Sequence, residues 1–142
     1  MKFLKYQGLG NDFILLDGTD GSLSIDSEWC VKACDRHFGI GADGVLYVMP
    51  GENTDITMRI INADGSEAEM CGNGIRCVAK YAYDCGIVSS KQFSIHTLAG
   101  DLKADVFTGD DGKVSTVRIN MGAPILDGRN VPVDYDGRFI DQ

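Results

Sequence analysis

The chain has 142 residues, of which 44% are hydrophobic and 24% are charged, so it is long and apolar enough for one folded domain with a real core. Its formal net charge of −8 argues against binding to nucleic acid or to an anionic membrane, because both need clustered lysine and arginine. The sequence has no apolar run of membrane-spanning length and no signal-peptide pattern at its first residues, which predicts a cytoplasmic protein.

The first predicted elements are two short strands, residues 3–6 and 13–16, joined by the sequence Gly8-Leu-Gly-Asn-Asp12. Short apolar runs on either side of a glycine-rich connection predict a β-hairpin. Asn11 falls at the tip of this hairpin. Its residue type favours a turn that tolerates positive φ, although its amide can also bind a polar ligand.

A helix is predicted to begin at Asp26 or Ser27 and to carry Arg36 and His37 in its last turn, where positive charge suits the helix dipole. This position makes His37 a helix-end residue rather than a catalytic base. A second glycine-rich turn, residues 38–44, follows the helix. It lacks the Gly-Lys-Ser/Thr ending of a phosphate-binding loop.

The most informative stretch runs from Asn62 to Cys77 and reads NADGSEAEMCGNGIRC. A strand-like run precedes it and apolar residues at helical spacing follow it, which places Cys71 at a strand-to-helix turn. The helix dipole stabilises a thiolate held at that end. Gly72 and Gly74 leave backbone N–H groups open to a carboxylate. The pattern therefore predicts a reactive thiol beside an anion-binding turn.

Two simpler interpretations of this stretch stay open. Gly-Asn-Gly is also an ordinary turn signal. Ser66 and Glu69 fit a capping box, so the helix could instead begin at Ser66 and enclose Cys71. Against this, the two glycines would each cost about 1 kcal/mol in a helix interior. We therefore expect Cys71 to be the most reactive of the five thiols.

The five cysteines are an odd number, which argues against a complete disulfide framework. Neither Cys30 and Cys34 nor Cys71 and Cys77 have the C-x-x-C spacing of a zinc site, so we expect no metal. The cysteines other than Cys71 are interpreted as small apolar core residues; they are Cys30, Cys34, Cys77 and Cys85.

Taken together, the patterns predict about seven strands and two helices in an α+β fold with a largely antiparallel sheet. Beyond Gly122, prolines and glycines interrupt the chain and no periodic element fits. We therefore expect one domain over residues 1–121 and the start of something else in residues 122–142. The remaining strands are predicted at residues 45–49, 56–61, 93–98, 102–107 and 117–121.

Several motifs, in their order along the chain, resemble those of the diaminopimelate epimerase family. They are Gly8-Leu-Gly-Asn-Asp-Phe13, Arg36-His-x-Gly-Ile-Gly-Ala-Asp43, Asn62-Ala-Asp-Gly-Ser-Glu67, Cys71-Gly-Asn-Gly-x-Arg-Cys77 and Val117-Arg-Ile-Asn-Met-Gly122. The resemblance covers essentially the whole chain. It implies a curved, mostly antiparallel sheet wrapped around a central helix, as one of two similar halves with the substrate between them.

The resemblance also implies an isomerase that interconverts LL- and meso-diaminopimelate on the route to lysine and peptidoglycan. This family uses no metal, pyridoxal phosphate or nicotinamide. The implied catalytic residue is Cys71, as one of two acid/base cysteines, and the implied substrate-binding residues are Asn11, Asn62, Gly72 and Asn73.

The second cysteine of the family lies in a Cys-Gly-Thr-Gly turn of the second half, and this chain has no such motif. Cys77 does not fill that role, because six residues of helix separate it from Cys71 by about 9 Å of rise and about 240° of rotation. We therefore expect residues 1–121 to form the N-terminal epimerase domain and residues 122–142 to begin a second domain. The chain alone is expected to be inactive.

Two other functions stay open at this point. A proline or hydroxyproline racemase would have the same fold, although that family tends to carry histidine where this chain has Asn73. A non-catalytic domain that binds amino acids through Asn11, Asn62 and Asn73 is the other. Proton exchange at the α-carbon would separate an enzyme from such a domain. The expected partner is the small-molecule substrate, and a homodimer stays open as an assembly state.

Overall fold

The computed structural model of the chain describes residues 2–131. Its elements are, in order, β1 (Leu4–Gly8), β2 (Asn11–Asp17), α1 (Ser27–Cys34), β3 (Gly44–Pro50), β4 (Ile56–Asn62), β5 (Glu67–Ala68), α2 (Gly72–Asp84), β6 (Gln92–Thr97), β7 (Gly100–Thr108) and β8 (Val114–Ile119), with a short 3-10 turn at Gly128–Asn130. Within these residues no helix is long and apolar enough to cross a membrane. The segment expected to begin a second domain extends past them, since residues 132–142 lie outside the described range.

The strands of the described residues form one sheet in the order β1-β2-β3-β4-β6-β7-β8, and the short β5 pairs with β4. β2 pairs with β3 and β4 pairs with β6 in parallel, whereas the other five strand pairs are antiparallel. The predicted α+β fold with a mostly antiparallel sheet is therefore confirmed. The sequence did not predict β5, because two residues are too few to show an alternating pattern.

Helix α2 contacts both edge strands of the sheet, β1 and β8, and also β2, β3, β4 and β7. A sheet can touch one helix with both of its edges only if it curls around that helix. The expected curved sheet with a central helix is thus confirmed. The inner core between sheet and helix includes Phe13, Leu15, Leu46, Val48, Met58, Ile60, Ile75, Val78, Ala82, Phe93, Ile95, Ala104, Val106 and Val114.

The outer face of the sheet is covered by α1 over its middle strands. Side chains along a strand alternate between its faces, so in β2 Ile14 and Leu16 point to the α1 side while their neighbours point to α2. This double cover explains why β2 and β3 read as continuous apolar runs instead of alternating ones. The buried residues of the outer core are Ile14, Leu16, Cys30, Ala33, Cys34, Ala42, Val45, Tyr47 and Ile61.

The two ends of α2 are held by different contacts. At the start, Cys71 is the N-cap, which confirms the strand-to-helix turn and makes the alternative start at Ser66 wrong. At the end, the carboxylate of Asp84 accepts hydrogen bonds from Lys80 Nζ at 2.8 Å and from the backbone N–H of Val114 at 2.8 Å. Gly86 follows with φ of 74°, a left-handed conformation that glycine adopts without strain after a helix C-cap.

Three details of the sequence prediction are wrong. Helix α1 ends at Cys34, so Arg36 and His37 lie beyond it rather than in its last turn. The hairpin tip is Leu9-Gly10, both with positive φ, and Asn11 is already the first residue of β2. Cys85 is exposed instead of belonging to the core, because it caps the C-terminal end of α2.

Candidate active site

The candidate site forms where the β1–β2 hairpin meets the first turn of α2. The hairpin comes so close that a Cβ on Gly8 would lie 3.3 Å from the main-chain oxygen of Asn73 and 3.5 Å from its Cβ. A side chain at this position would push the helix away, so glycine permits the contact. The contact brings Asn11 next to Cys71, which follows it by 60 residues in the sequence.

Cys71 has an extended backbone, with φ of −140° and ψ of 117°, and a half-buried side chain. Its sulfur accepts a hydrogen bond from the backbone N–H of Gly74 at 3.4 Å. On the other side the sulfur lies 3.8 Å from the side-chain oxygen of Asn11, which accepts the thiol proton. The sulfur thus has a donor for its thiolate form and an acceptor for its thiol form. This arrangement suits a group that alternates between the two protonation states.

Asn73 connects to the same point from the first turn of α2. Its Nδ2 donates to the side-chain oxygen of Asn11 at 3.4 Å, and its own side-chain oxygen accepts from the guanidinium of Arg76. Asn11, Cys71 and Asn73 are all half-buried. The structure therefore brings together three of the five residues that the sequence singled out for the site.

Gly72 lies beside these residues at the start of α2. A Cβ added to Gly72 would meet no heavy atom within 4 Å, so the space in front of this residue is open. The first N–H groups of a helix have no acceptor inside the helix, and the helix dipole is positive at this end. A carboxylate entering the open space next to Gly72 would meet both.

Asn62, the fifth candidate, lies at the same end of the sheet but is not joined to the cysteine. It ends β4 opposite Gly44, and its Nδ2 donates to the hydroxyl of Ser66 at 3.0 Å. It therefore closes the turn between β4 and β5. Its role as a site residue stays a prediction.

A charged cluster next to Asn11 was not predicted as part of the site. Asp43 Oδ2 accepts from Asn11 Nδ2 at 2.7 Å, and Asp43 Oδ1 accepts from Arg36 at 2.6 Å. Arg36 also bonds Asp12 at 2.7 Å, and Lys5 reaches the same carboxylate at 2.7 Å. Arg36 and Asp43 are the first and last residues of one of the motifs quoted above, so the sequence did draw attention to them. Nothing in a single sequence shows that their side chains are in contact.

A family model described as diaminopimelate epimerase matches residues 3–126. The chain belongs to the diaminopimelate epimerase family. The matched range contains every residue of the candidate site, and the resemblance that the sequence motifs indicated is confirmed.

Curated members of the diaminopimelate epimerase family are similar to the chain over nearly all of its length. The enzyme from Caldanaerobacter subterraneus is 52% identical over 100% of the chain, and that from Acetivibrio thermocellus is 48% identical over 96% of it. The chloroplastic enzyme from Oryza sativa subsp. japonica is 49% identical over 93% of the chain. The chain covers 51%, 48% and 37% of these proteins, so it spans about half the length of the first two.

Two solved structures with a similar fold carry the names of other families. A hydroxyproline epimerase from Agrobacterium vitis with bound trans-4-OH-L-proline has a TM-score of 0.65 and 16% identity, over 82% of this chain and 40% of that chain. A phenazine biosynthesis protein from Bacillus anthracis has a TM-score of 0.62 and 21% identity, over 80% of this chain and 39% of that chain. At identities this low, the similarity shows a shared fold only, and function has to be argued from the residues of the site.

Native-state alkylation is expected to modify Cys71 and Cys85 before the other three thiols of this family member. Cys71 is half-buried and Cys85 is exposed, whereas burial raises the pKa of Cys30 and Cys34 and raises that of Cys77 to about 11. Limiting iodoacetamide followed by peptide mass spectrometry measures the order. In a Cys85→Ser variant, Cys71 should be labelled first. Uniform labelling, or labelling led by Cys30, would contradict the assignment.

Lowering the pH from about 4 to about 2 is expected to destabilise the fold through Asp12. Hydrogen bonds from Arg36 and from Lys5 lower the pKa of this carboxyl from 3.8 to about 2. Because the pKa of Asp12 is lower in the folded state than in the unfolded state, the ionised carboxylate stabilises the fold at pH values above its ordinary pKa. That stabilisation is lost as the pH falls through the folded-state pKa.

Urea unfolding at about pH 5 and about pH 2 tests this dependence. Asp12→Asn should lower the free energy of unfolding at the higher pH, and the deficit should shrink at the lower pH. The exposed Asp110→Asn is the control and should change neither value. An equal deficit for Asp12→Asn at both pH values would show that the carboxylate charge is not the cause.

Proposed function

We propose that the chain supplies one half of the active site of a diaminopimelate epimerase, in which Cys71 moves a proton on one face of the substrate α-carbon. The observation that carries the proposal is the position of the Cys71 sulfur at the N-cap of α2, between the Gly74 N–H and the Asn11 side-chain oxygen. Membership in the family supports LL- and meso-diaminopimelate as the substrates.

Inversion of an α-carbon requires removal of a proton from one face and delivery of a proton to the other. Two groups on opposite faces do this most simply, one as a base and one as an acid. A thiolate takes the proton and becomes a thiol, so its partners must stabilise both forms. Cys71 has such partners in Gly74 and Asn11.

The residues around Cys71 fit the two charged groups on the reacting carbon. The α-carboxylate matches the first N–H groups of α2 in the open space at Gly72. The α-ammonium matches a side-chain amide oxygen such as that of Asn11. We therefore propose that Asn11, Asn62, Gly72 and Asn73 bind the substrate and hold its α-carbon against the sulfur. Holding a reactant in this way contributes to rate by removing the cost of orientation.

We propose that the group on the opposite face is a second cysteine from outside residues 2–131. Within the described residues, the nearest cysteine in sequence is Cys77, which faces the inner core and is buried. Cys30 and Cys34 belong to the outer core on the far side of the sheet. Leu9, at the tip of the hairpin that carries Asn11, is 86% exposed, which is consistent with a second half covering it.

Completion of the chain with a second half tests the proposal. A chimera would join this chain to the remaining part of the Caldanaerobacter subterraneus relative, of which the chain covers 51%. The chimera should convert LL-diaminopimelate to the meso form, and the chain alone should not. A chimera that folds but leaves diaminopimelate unchanged, or that racemises proline instead, would overturn the proposal.

The proposed reaction belongs to the synthesis of lysine and of peptidoglycan precursors in the cytoplasm. It needs only proton transfer, so the residues of the site do not have to hold a metal or an organic cofactor. The boundary between the epimerase domain and the following segment, at residues 121 and 122, stays a prediction.

A further inference from the structure

The side-chain amide of Asn11 lies next to the Cys71 sulfur, and the side-chain amide of Asn73 donates to the Asn11 oxygen. An amide is nearly symmetrical in shape, but its oxygen only accepts hydrogen bonds and its NH2 group only donates them. Which end of the Asn11 amide faces the sulfur therefore depends on what holds its other end. Charged residues hold both amides from the outer ends.

Asp43 determines the orientation of Asn11. A carboxylate only accepts hydrogen bonds, and Asp43 Oδ2 lies 2.7 Å from Asn11 Nδ2. The NH2 group of Asn11 must therefore point to Asp43, and its oxygen must point to Cys71. A bond to a charged partner is also stronger than one between neutral groups.

Arg76 determines the orientation of Asn73 in the opposite sense. A guanidinium only donates hydrogen bonds, and Arg76 donates to the side-chain oxygen of Asn73. The NH2 group of Asn73 is thereby directed to the Asn11 oxygen, 3.4 Å away. The two amides are aligned head to tail between a carboxylate at one end and a guanidinium at the other.

Asp43 is itself held in place and in its ionised form. Its Oδ2 accepts a second bond from the backbone N–H of Asp12 at 3.0 Å, and its Oδ1 accepts from Arg36. The bonds from Asn11 and from the Asp12 N–H lower the pKa of this carboxyl. A fixed, ionised acceptor leaves the Asn11 amide one favourable orientation.

We propose that Asp43 and Arg76 are positioning residues, which lock the amides of Asn11 and Asn73 so that the Asn11 oxygen stays directed at the Cys71 sulfur. The inference deepens the proposed function and rests on it for its catalytic consequence. Without Asp43 the Asn11 amide can rotate and present its NH2 group to the sulfur. That rotation would replace the acceptor of the thiol proton by a donor.

The first test is spectroscopic and needs no activity. In the 15N-labelled chain, the side-chain NH2 signals of Asn11 are identified by their loss in Asn11→Ala. Asp43→Ala should make these protons exchange with solvent at least about tenfold faster, because the bond to the carboxylate is gone. Arg76→Met should have the same effect on the NH2 signals of Asn73, because the side-chain oxygen of Asn73 loses the guanidinium donor that fixes the amide.

The matched control is Asp55→Asn, which alters another carboxylate that accepts two hydrogen bonds, both from Ser94, at the far end of β4. It should leave the Asn11 and Asn73 signals unchanged. Unchanged signals in Asp43→Ala and in Arg76→Met, with the fold retained by circular dichroism, would overturn the inference.

The second test is a double-mutant cycle in the chimera described above. Asp43→Ala should lower kcat about ten- to a hundredfold, the factor for losing a hydrogen bond to a charged group. In the Asn11→Ala background the same change should have no further effect, because Asp43 acts through Asn11. Asp43→Asn should restore part of the rate, since one oxygen remains to accept the amide.

A merely structural role for Asp43 would give the same loss in both backgrounds, and that result would overturn the inference. The two proposals fail separately. If the unmodified chimera does not epimerise diaminopimelate, the proposed function is wrong, while the NMR signals still decide whether Asp43 and Arg76 position the amides.

Discussion

Replacement of Cys71 by alanine in the chimera is expected to lower the rate of diaminopimelate epimerisation by about 10²- to 10⁴-fold, the usual contribution of a positioned acid/base group. The sulfur is the only group of residue 71 that can exchange a proton with the substrate. Its loss also leaves the Gly74 N–H and the Asn11 oxygen without their shared partner. The measurement is kcat for the conversion of the LL form to the meso form.

The matched control for this loss is Cys85→Ser, which removes an exposed thiol at the other end of α2. It should leave kcat within about twofold, because surface changes away from a site have small effects. Alanine at an N-cap can cost about 0.5–2 kcal/mol of stability, so the assay temperature must lie well below the melting temperature of the variant. A Cys71→Ala chimera that keeps its rate within a few-fold would exclude Cys71 as an acid/base group.

Replacement of Ile75 by alanine is expected to destabilise the chain by about 2–5 kcal/mol, the range for truncating a buried large aliphatic side chain. Ile75 is 0% exposed and packs in the inner core, one turn after Cys71, which is the N-cap of α2. The cavity left by its side chain would open where α2 meets the curled sheet. A loss of this size is a large part of the roughly 5–15 kcal/mol that stabilises a typical domain.

Urea unfolding of this chain at neutral pH measures the loss, with Val31→Ala as the control. Val31 is 40% exposed on α1, so its truncation should change the free energy of unfolding by about 0.5 kcal/mol or less. Similar effects of the two variants would mean that α2 is not the centre of the core.

The sequence predicted the elements that carry strong local signals. The start of α1 at Asp26 or Ser27 and the strand that contains Phe93 were recognisable from residue type and spacing, and the structure confirms them. The strand-to-helix turn at Cys71 was predicted because two glycines disfavour a helix that runs through it. Local chemistry decides such features, so one sequence is enough to find them.

The site itself could be predicted only in part. Cys71 and the glycines after it form a local pattern, but the approach of Asn11 depends on the close packing of Gly8 against Asn73. Residue type alone favoured Asn11 as a turn residue, and only the family resemblance raised it to a ligand contact. A contact over 60 residues of sequence has no local signature.

The charged cluster next to Asn11 was not predicted, for the same reason. Arg36 was expected at a helix end, where its charge would face the dipole. In the structure it lies past the helix and bonds both Asp12 and Asp43. Tertiary ion pairs of this kind override a local preference of a few tenths of a kcal/mol to about 1 kcal/mol.

Deuterium labelling by the chimera tests the central claim most directly, because it reports on the two faces of the α-carbon. LL-diaminopimelate is converted in D2O, and mass spectrometry measures deuterium in substrate and product at early times. If one of Cys71 and a group on the opposite face removes the proton and the other delivers a deuteron, the meso product carries one solvent deuteron at the inverted carbon. The remaining LL substrate then stays unlabelled at early times. An early product without deuterium, or labelling by the Cys71→Ala chimera as fast as by the unmodified one, would contradict the account.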